Sequence, residues 1–390
     1  MYTETEGWAT DHELGPGDVY HTSDGGRHWR NIFHFQPQRL EHVQRTFIPL
    51  DGSCAVLLVT HLAPGPGGAT EVDIQRTSGA GLTWQISHLR ALPNTWAVDG
   101  AFADTEHGWI LAVVRGTGHG VSTTSAVYQT TDGGMTWAPV STYEDELNAE
   151  RVPGALPPHC NLGDIVFSDN STGWVTGTCV SYSAALGPIP GVMLYRTRDG
   201  GTTWIQQAVH LPPGRQAGFF DEDMFYVDPP MFVTAKSGAL FIAKAGHPVE
   251  TFMYKTHDGG ESWTTLHLPG GVWRGWFDAV SDDIAWVTDG YALYVSHDGW
   301  RTWRKIRDEP GDLINGIEFV SEDTGWIQLA GGDLLVTRDA GAHWQTVERS
   351  VVVPCCLQGY RMFEGEDLAY PGSVVSRTAG ASSAPAAYAR

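Results

Sequence analysis

Residues 315–348 carry four short runs in which apolar positions alternate with polar ones: NGIEFV, GWIQL, DLLVT and HWQTV. The segments SEDT, AGGD and RDAGA, rich in turn-forming residues, separate them. Period-two runs bounded by such turns predict four short antiparallel strands. The layout recurs. Gly or Ala, then Trp, then alternating apolar residues appear in EGWAT (6–10), HGWILAV (107–113), TGWVTGT (172–178), IAWVTDG (284–290) and TGWIQL (324–329). Weaker versions are read in CAVLLV (54–59) and MFYV (224–227), and a further apolar run such as GDIVFSD (163–169) comes just before the motif. Helical periodicity is almost absent.

Each four-strand unit contains one copy of an eight-residue box. The copies are TSDGGRHW (22–29), TSGAGLTW (77–84), TTDGGMTW (130–137), TRDGGTTW (197–204), THDGGESW (256–263), SHDGWRTW (296–303) and TRDAGAHW (337–344). Seven copies spaced 40–67 residues apart mark a repeat architecture. Small four-stranded sheets cannot bury both faces alone, so the expected fold is all-β: a β-propeller of four-stranded antiparallel blades. The box is expected at the turn between the third and fourth strands. There glycine supplies positive φ, and Asp24, Asp132, Asp199, Asp258, Asp298 and Asp339 accept N–H bonds within their own turns. Trp29, Trp84, Trp137, Trp204, Trp263, Trp303 and Trp344 begin the outer strand and pack beneath the turn. Two copies bend the frame, with Gly79 in place of the aspartate and Trp300 in place of the second glycine. Asp-x-Gly lacks the further carboxylates of a calcium loop, so the box is read as a fastener.

Composition narrows the function. A net charge of −21 with only four lysines argues against a nucleic-acid groove. No apolar run reaches the roughly 18 residues of a membrane span. The opening MYTETEGWAT lacks the features of a secretory signal, and a native start with a signal segment is expected upstream. The 16 histidines show no i, i+4 helical pair and the five cysteines no Cys-x-x-Cys, so neither metal nor cofactor is expected.

The Ser/Thr-x-Asp-x-Gly-x-Thr-Trp frame resembles the Asp-box, or BNR, repeat of sialidases, sortilin-type receptors and two-propeller xyloglucanases. Combined with the Gly-Trp strand, it looks most like propellers of the photosystem II stability/assembly factor type. That resemblance implies a non-enzymatic scaffold binding a protein or glycan partner. The alternative is a glycoside hydrolase of sialidase-like type. Sialidases carry an arginine in a Phe/Tyr-Arg-Ile/Leu-Pro motif; the nearest stretch here, Phe47-Ile48-Pro49, has none, and Arg45 stands out of register.

By register, residues 1–3 match 319–321, so most of the first unit's opening strand is missing. The strand near 359–363 either completes that blade, giving the favoured seven, or opens a worn eighth. The domain is then 1–370, with 371–390 a repeat remnant or an Ala/Ser-rich tail. Long loops (61–70, 115–126, 141–161, 180–191, 235–250) belong to units two to five, on the face opposite the boxes. Unusual loop length is where binding commonly sits. The candidates on that face are Trp96, His119, Arg151, Phe219, Trp273 and Arg274. Trp276 and Phe220 are read as blade packing, and the acidic stretches 144–146 and 221–223 as solvated charges. Apolar axial lining would support the scaffold; Arg, Glu and Tyr there would support the enzyme. Cys160 and Cys179 flank a hairpin turning around 169–173, which brings them opposite each other within bridging distance. A bridge there favours an extracytoplasmic or secreted home; the alternative is two small buried thiols that merely pack.

Overall fold

The fold is taken from a computed structural model that describes residues 1–10, 18–34, 43–61, 71–91, 95–115, 122–143, 154–157, 160–179, 192–211, 225–244, 250–269, 275–308, 313–347 and 360–362. Seven separate antiparallel sheets follow one another along the chain and form a seven-bladed propeller. Blade 1 has three strands among the described residues: Gly7–Thr10, Val19–Thr22 and Arg30–Phe33. In the other blades the first strand lies innermost. These strands are Val43–Pro49, Thr95–Phe102, Cys160–Phe167, Phe225–Val227 with Met231–Phe232, Gly275–Ala279 and Ile314–Phe319.

The repeated Gly-Trp pair now has a cause. In blades 3, 4, 5 and 7 the glycine opens the second strand, directly opposite a phenylalanine that closes the first. A Cβ on Gly108 would stand 2.5 Å from the Phe102 ring, and one on Gly173 2.7 Å from Phe167. Only glycine leaves room for the ring to lie across the strand. Where the phenylalanine is absent the glycine relaxes to alanine, as in Pro49 opposite Ala55 and Ala279 opposite Ala285. The tryptophan that follows reaches into the next blade. Trp109 stacks on Phe167 with ring centroids 3.5 Å apart, and Trp286 on Phe319 at 3.7 Å. The Trp109 indole N–H donates to the Gly200 carbonyl in the next blade's box at 2.8 Å. Fully buried, Trp109 is a position where truncation to alanine costs about 3–5 kcal/mol.

Hydrophobic packing is therefore concentrated between blades. Seven clusters of buried side chains each join one pair of neighbours. The seam between blades 7 and 1 has the same character. Trp326 donates its indole N–H to Gly25 at 3.1 Å, and Trp29, Tyr20 and Ala9 pack on Leu334 and Val336. No strand is shared across that seam among the described residues.

Two expectations need correction. Tyr360–Met362 neither completes blade 1 nor starts an eighth; it pairs antiparallel with Gly275–Ala279, on the inner edge of blade 6. That edge offers unpaired backbone groups, and a short strand satisfies them. The segment 224–227, read as the Gly-Trp strand of unit five, contains the first strand instead. The second strand is Gly238–Lys244, inside the stretch taken as a long loop. It carries Ala239 where five of the other six blades carry Trp, while Pro229 and Pro230 interrupt the first strand and disguised the order.

Candidate functional site

The box turns use their polar groups locally. In six blades a threonine hydroxyl accepts the N–H four residues on, as Thr130 does from Gly134 at 2.8 Å. The aspartate accepts from the far side of the turn: Asp132 takes the Met135 and Thr136 N–H groups at 3.0 and 2.9 Å and the Thr136 hydroxyl at 2.6 Å. These bonds, the Thr136 hydroxyl's foremost, hold its pKa at about 2. Asp24, Asp199, Asp258, Asp298 and Asp339 accept equivalent backbone bonds. The indoles of Trp137, Trp204 and Trp344 donate back to a glycine carbonyl of their own turn. In all seven blades a box N–H is bonded to the loop between strands one and two, as Gly133 is to Glu106 at 2.8 Å. Box turns and those loops thus share one face. Arg76, Arg196 and Lys255, each just before its box threonine, donate to the box carbonyls of the following blade. The pairs RT and KT were visible in the sequence; their reach between blades was not.

The opposite face holds the ends of the strands that flank the long loops. Trp96 lies at a bulge in the innermost strand of blade 3, where the register shifts between Thr95 and Ala97. His119, Arg151, Phe219, Phe220, Trp273 and Arg274 lie outside the described residues. Cys160 and Cys179 are ladder partners at that face, and Cys160 is disulfide-bonded. Trp276 is buried, packed against blade 7.

The axis carries what the sequence reading did not single out. A cavity of about 270 Å³ is lined from six blades, by the ends of the innermost strands and by positions deeper in them. Asp99, Asp164, Asp278 and Glu318 are among the lining residues; among the described residues no Arg or Lys is. Alignment of the innermost strands puts Asp99 and Asp164 at equivalent places in blades 3 and 4, and Asp278 and Glu318 at equivalent places in blades 6 and 7. Two of the four have structural partners. Asp99 Oδ2 accepts the Ile165 N–H of blade 4 at 3.0 Å, and Asp278 accepts the Phe319 N–H of blade 7. Each ties one inner strand to the next. Glu318 lies 3.3 Å from the Met1 backbone nitrogen. Asp99 Oδ1 and Asp164 Oδ1 are buried with no hydrogen-bond partner.

Burial raises all four carboxyls: Asp99 to about 7, Asp278 to about 6, Glu318 to about 8. Asp164 is raised well above the carboxylate range, by burial first and then by Asp99 and Asp228. A charged group without water or a partner is costly, and protonation is the cheaper state. The signal in the sequence was a carboxylate inside an otherwise apolar innermost strand, as in Val98-Asp99-Gly100 and Ile317-Glu318-Phe319.

Among the described residues one group, Glu71, Asp73 and His88 on blade 2, gathers potential metal-ligand atoms within 4.8 Å of one another. Asp73 there already bonds His61 and His88, at 2.8 Å each.

No family model and no curated protein matches the chain. Solved structures do. The GH74 xyloglucanase of Xanthomonas campestris aligns with TM-score 0.54 at 13% identity, over 92% of this chain and 53% of that one. This chain thus spans about half the xyloglucanase. YCF48 bound to D1 peptide aligns with TM-score 0.45 at 18% identity, over 83% and 88% of the two chains. YCF48 from Cyanidioschyzon merolae gives 0.47 at 14%, over 81% and 88%. The solved propellers similar to this one thus include both assembly factors and glycoside hydrolases, and what they share with it is the fold.

Proposed function

We propose that the chain is a non-catalytic propeller that binds a protein or glycan partner through its long-loop face. The observation that carries this reading is the axial wall. Asp99 and Asp278 are tied to backbone N–H groups of the next blade, and no cationic side chain lines the cavity among the described residues. A sialidase-like site needs arginines for the substrate carboxylate and a carboxylate pair free to act. The cavity, about 270 Å³, also falls below the roughly 300–1,000 Å³ of usual ligand pockets, which is small for an oligosaccharide. The strand ends that flank the loops of uneven length lie opposite the boxes, where variation in the loops leaves the fasteners untouched.

The test is a pair of measurements. Replacing 180–191 by a tight turn should abolish co-purification of a partner without lowering the melting temperature by more than a few degrees, and chromogenic sialosides and glucan oligosaccharides should not turn over. Unchanged partner retention would sink the loop-face reading. Turnover lost in Asp164→Asn would favour the second reading, a hydrolase. Glu318 and Asp164, both raised by burial, are what that reading has in its favour, since a general acid needs a raised pKa.

We also assign the bridge as Cys160–Cys179 and read from it an oxidising, extracytoplasmic compartment. Peptide mapping without reductant should recover the two cysteines linked. Two free thiols in protein purified from its native source would overturn the compartment.

A further inference from the structure

We propose that the axial cavity is a cation site, binding one guanidinium or primary ammonium group between Asp99 and Asp164. It is separate from the loop-face interaction and does not depend on it.

Asp99 carries the argument furthest. Only 2% exposed, it lines the cavity, has one oxygen bonded to Ile165 N–H, and leaves Oδ1 without a partner. Asp164 Oδ1, on the neighbouring innermost strand, is likewise buried and unpartnered. Buried polar groups are normally satisfied, and an orphan oxygen at a cavity wall marks where a donor is missing. Two such oxygens on adjacent blades are matched by a group presenting several N–H donors at once.

A bare metal ion suits the site poorly. The axial carboxylates are not among the groups whose ligand atoms converge within 4.8 Å. A planar guanidinium or a three-donor ammonium spans wider separations. Size agrees: the cavity has room for one such head group with a short stem and a few waters.

The charges facing the site come from several blades. Asp228 follows the first segment of blade 5's innermost strand and acts on Asp164; Asp278 and Glu318 also line the cavity, with the Met1 backbone nitrogen 3.3 Å from Glu318. Net charge there is negative whenever the acids ionise, so a cation is the complementary ligand. Binding ionises carboxyls that burial keeps protonated, and therefore releases protons around neutral pH.

The guanidinium or ammonium comes from outside the chain, as a free amine or as the side chain of a bound peptide.

The experiment titrates methylguanidinium into the full chain by calorimetry, with tetramethylammonium, which has no N–H donors, as control. We expect saturable one-to-one binding at pH 8 that weakens at least tenfold at pH 5, weakens at least tenfold in Asp164→Asn, and is not matched by the control. No saturable binding overturns the site, as does binding indifferent to Asp164→Asn. Should that variant fail to fold, proton release in wild type, measured in two buffers of different ionisation heat, decides: zero release overturns the proposal.

Discussion

Two sets of carboxylates in this ring have the same chemistry and opposite circumstances. At the box turns, aspartates sit near solvent and accept three or four bonds from the turn around them, which lowers their pKa. At the axis, Asp99, Asp164, Asp278 and Glu318 line the cavity and are raised by burial. The first set recurs with the repeat, blade after blade. The second does not: Asp99 and Asp164 stand two residues deeper along their strands than Asp278 and Glu318, while blade 2 has Thr46 and Ile48 at the corresponding depths. Recurrence tracks what every blade needs in order to fold, and departure from recurrence tracks what the assembled ring alone requires.

The largest effect that could break this comparison is on pH dependence. An acid whose folded pKa exceeds its unfolded value stabilises the fold below the unfolded pKa, near 4, and loses that contribution as pH rises through the folded value. For Asp99 the window runs from about 4 to about 7, and three pH units correspond to a cost of the order of 3–4 kcal/mol at pH 8. In amine-free buffer the melting temperature should therefore fall between pH 4 and 8. Asp164→Asn should raise it at pH 8 and leave it nearly unchanged at pH 4. A variant equally damaging at both values would show that Asp164 is a packing residue. A loss confined to pH 8 would show its charge already neutralised by a cation of the chain itself.

A smaller effect is expected at the rim. Asp132→Ala removes a local cap and should lower stability by about 1 kcal/mol, with binding unchanged. Loss of binding at an unchanged melting temperature would refute the fastener role. Asp132 lies low, so its share of stability is present above the unfolded pKa near 4 and disappears only as pH falls toward 2; exposure keeps that share modest.

The smallest effect is a gain. The second box has Gly79 where the others have aspartate, with nothing within 4 Å of where a Cβ would stand. Gly79→Asp should add the missing acceptor and stabilise by about 0.5–1 kcal/mol, read from denaturant midpoints. No gain would mean that the buried Thr77, which already accepts the Gly81 N–H at 3.0 Å, satisfies that turn alone.

These contrasts also explain what could be read from the sequence. The boxes and Gly-Trp strands were legible because a local geometric demand, a positive φ or a ring lying over a glycine, admits few residues. Blade 5 was misread because its second strand keeps the glycine but puts Ala239 where tryptophan is usual. The axial acids were illegible as a group: residues 99, 164, 278 and 318 come together only when the ring closes, and no spacing announces it. The candidates on the long loops were chosen by loop length, which says where variation is tolerated and little about which side chains meet.

The seam between blades 7 and 1 has a consequence for how the chain comes off the ribosome. The Trp326–Gly25 bond spans 301 positions, whereas a box reaches its own blade's loop over 16 to 29. Loop-closure cost grows by about 0.6 kcal/mol per doubling, so sealing the ring carries roughly 2 kcal/mol that no single blade meets. At about 5–20 residues per second the first blade waits on the order of 15–60 s for its partner. Through that interval Tyr20, Ala9 and Trp29 have no blade 7 to cover them. We predict that nascent chains arrested after blade 6 bind a hydrophobic probe or a chaperone at blade 1, and that release past residue 347 ends it. Equal binding before and after blade 7 emerges would show that the first flank is protected by other means.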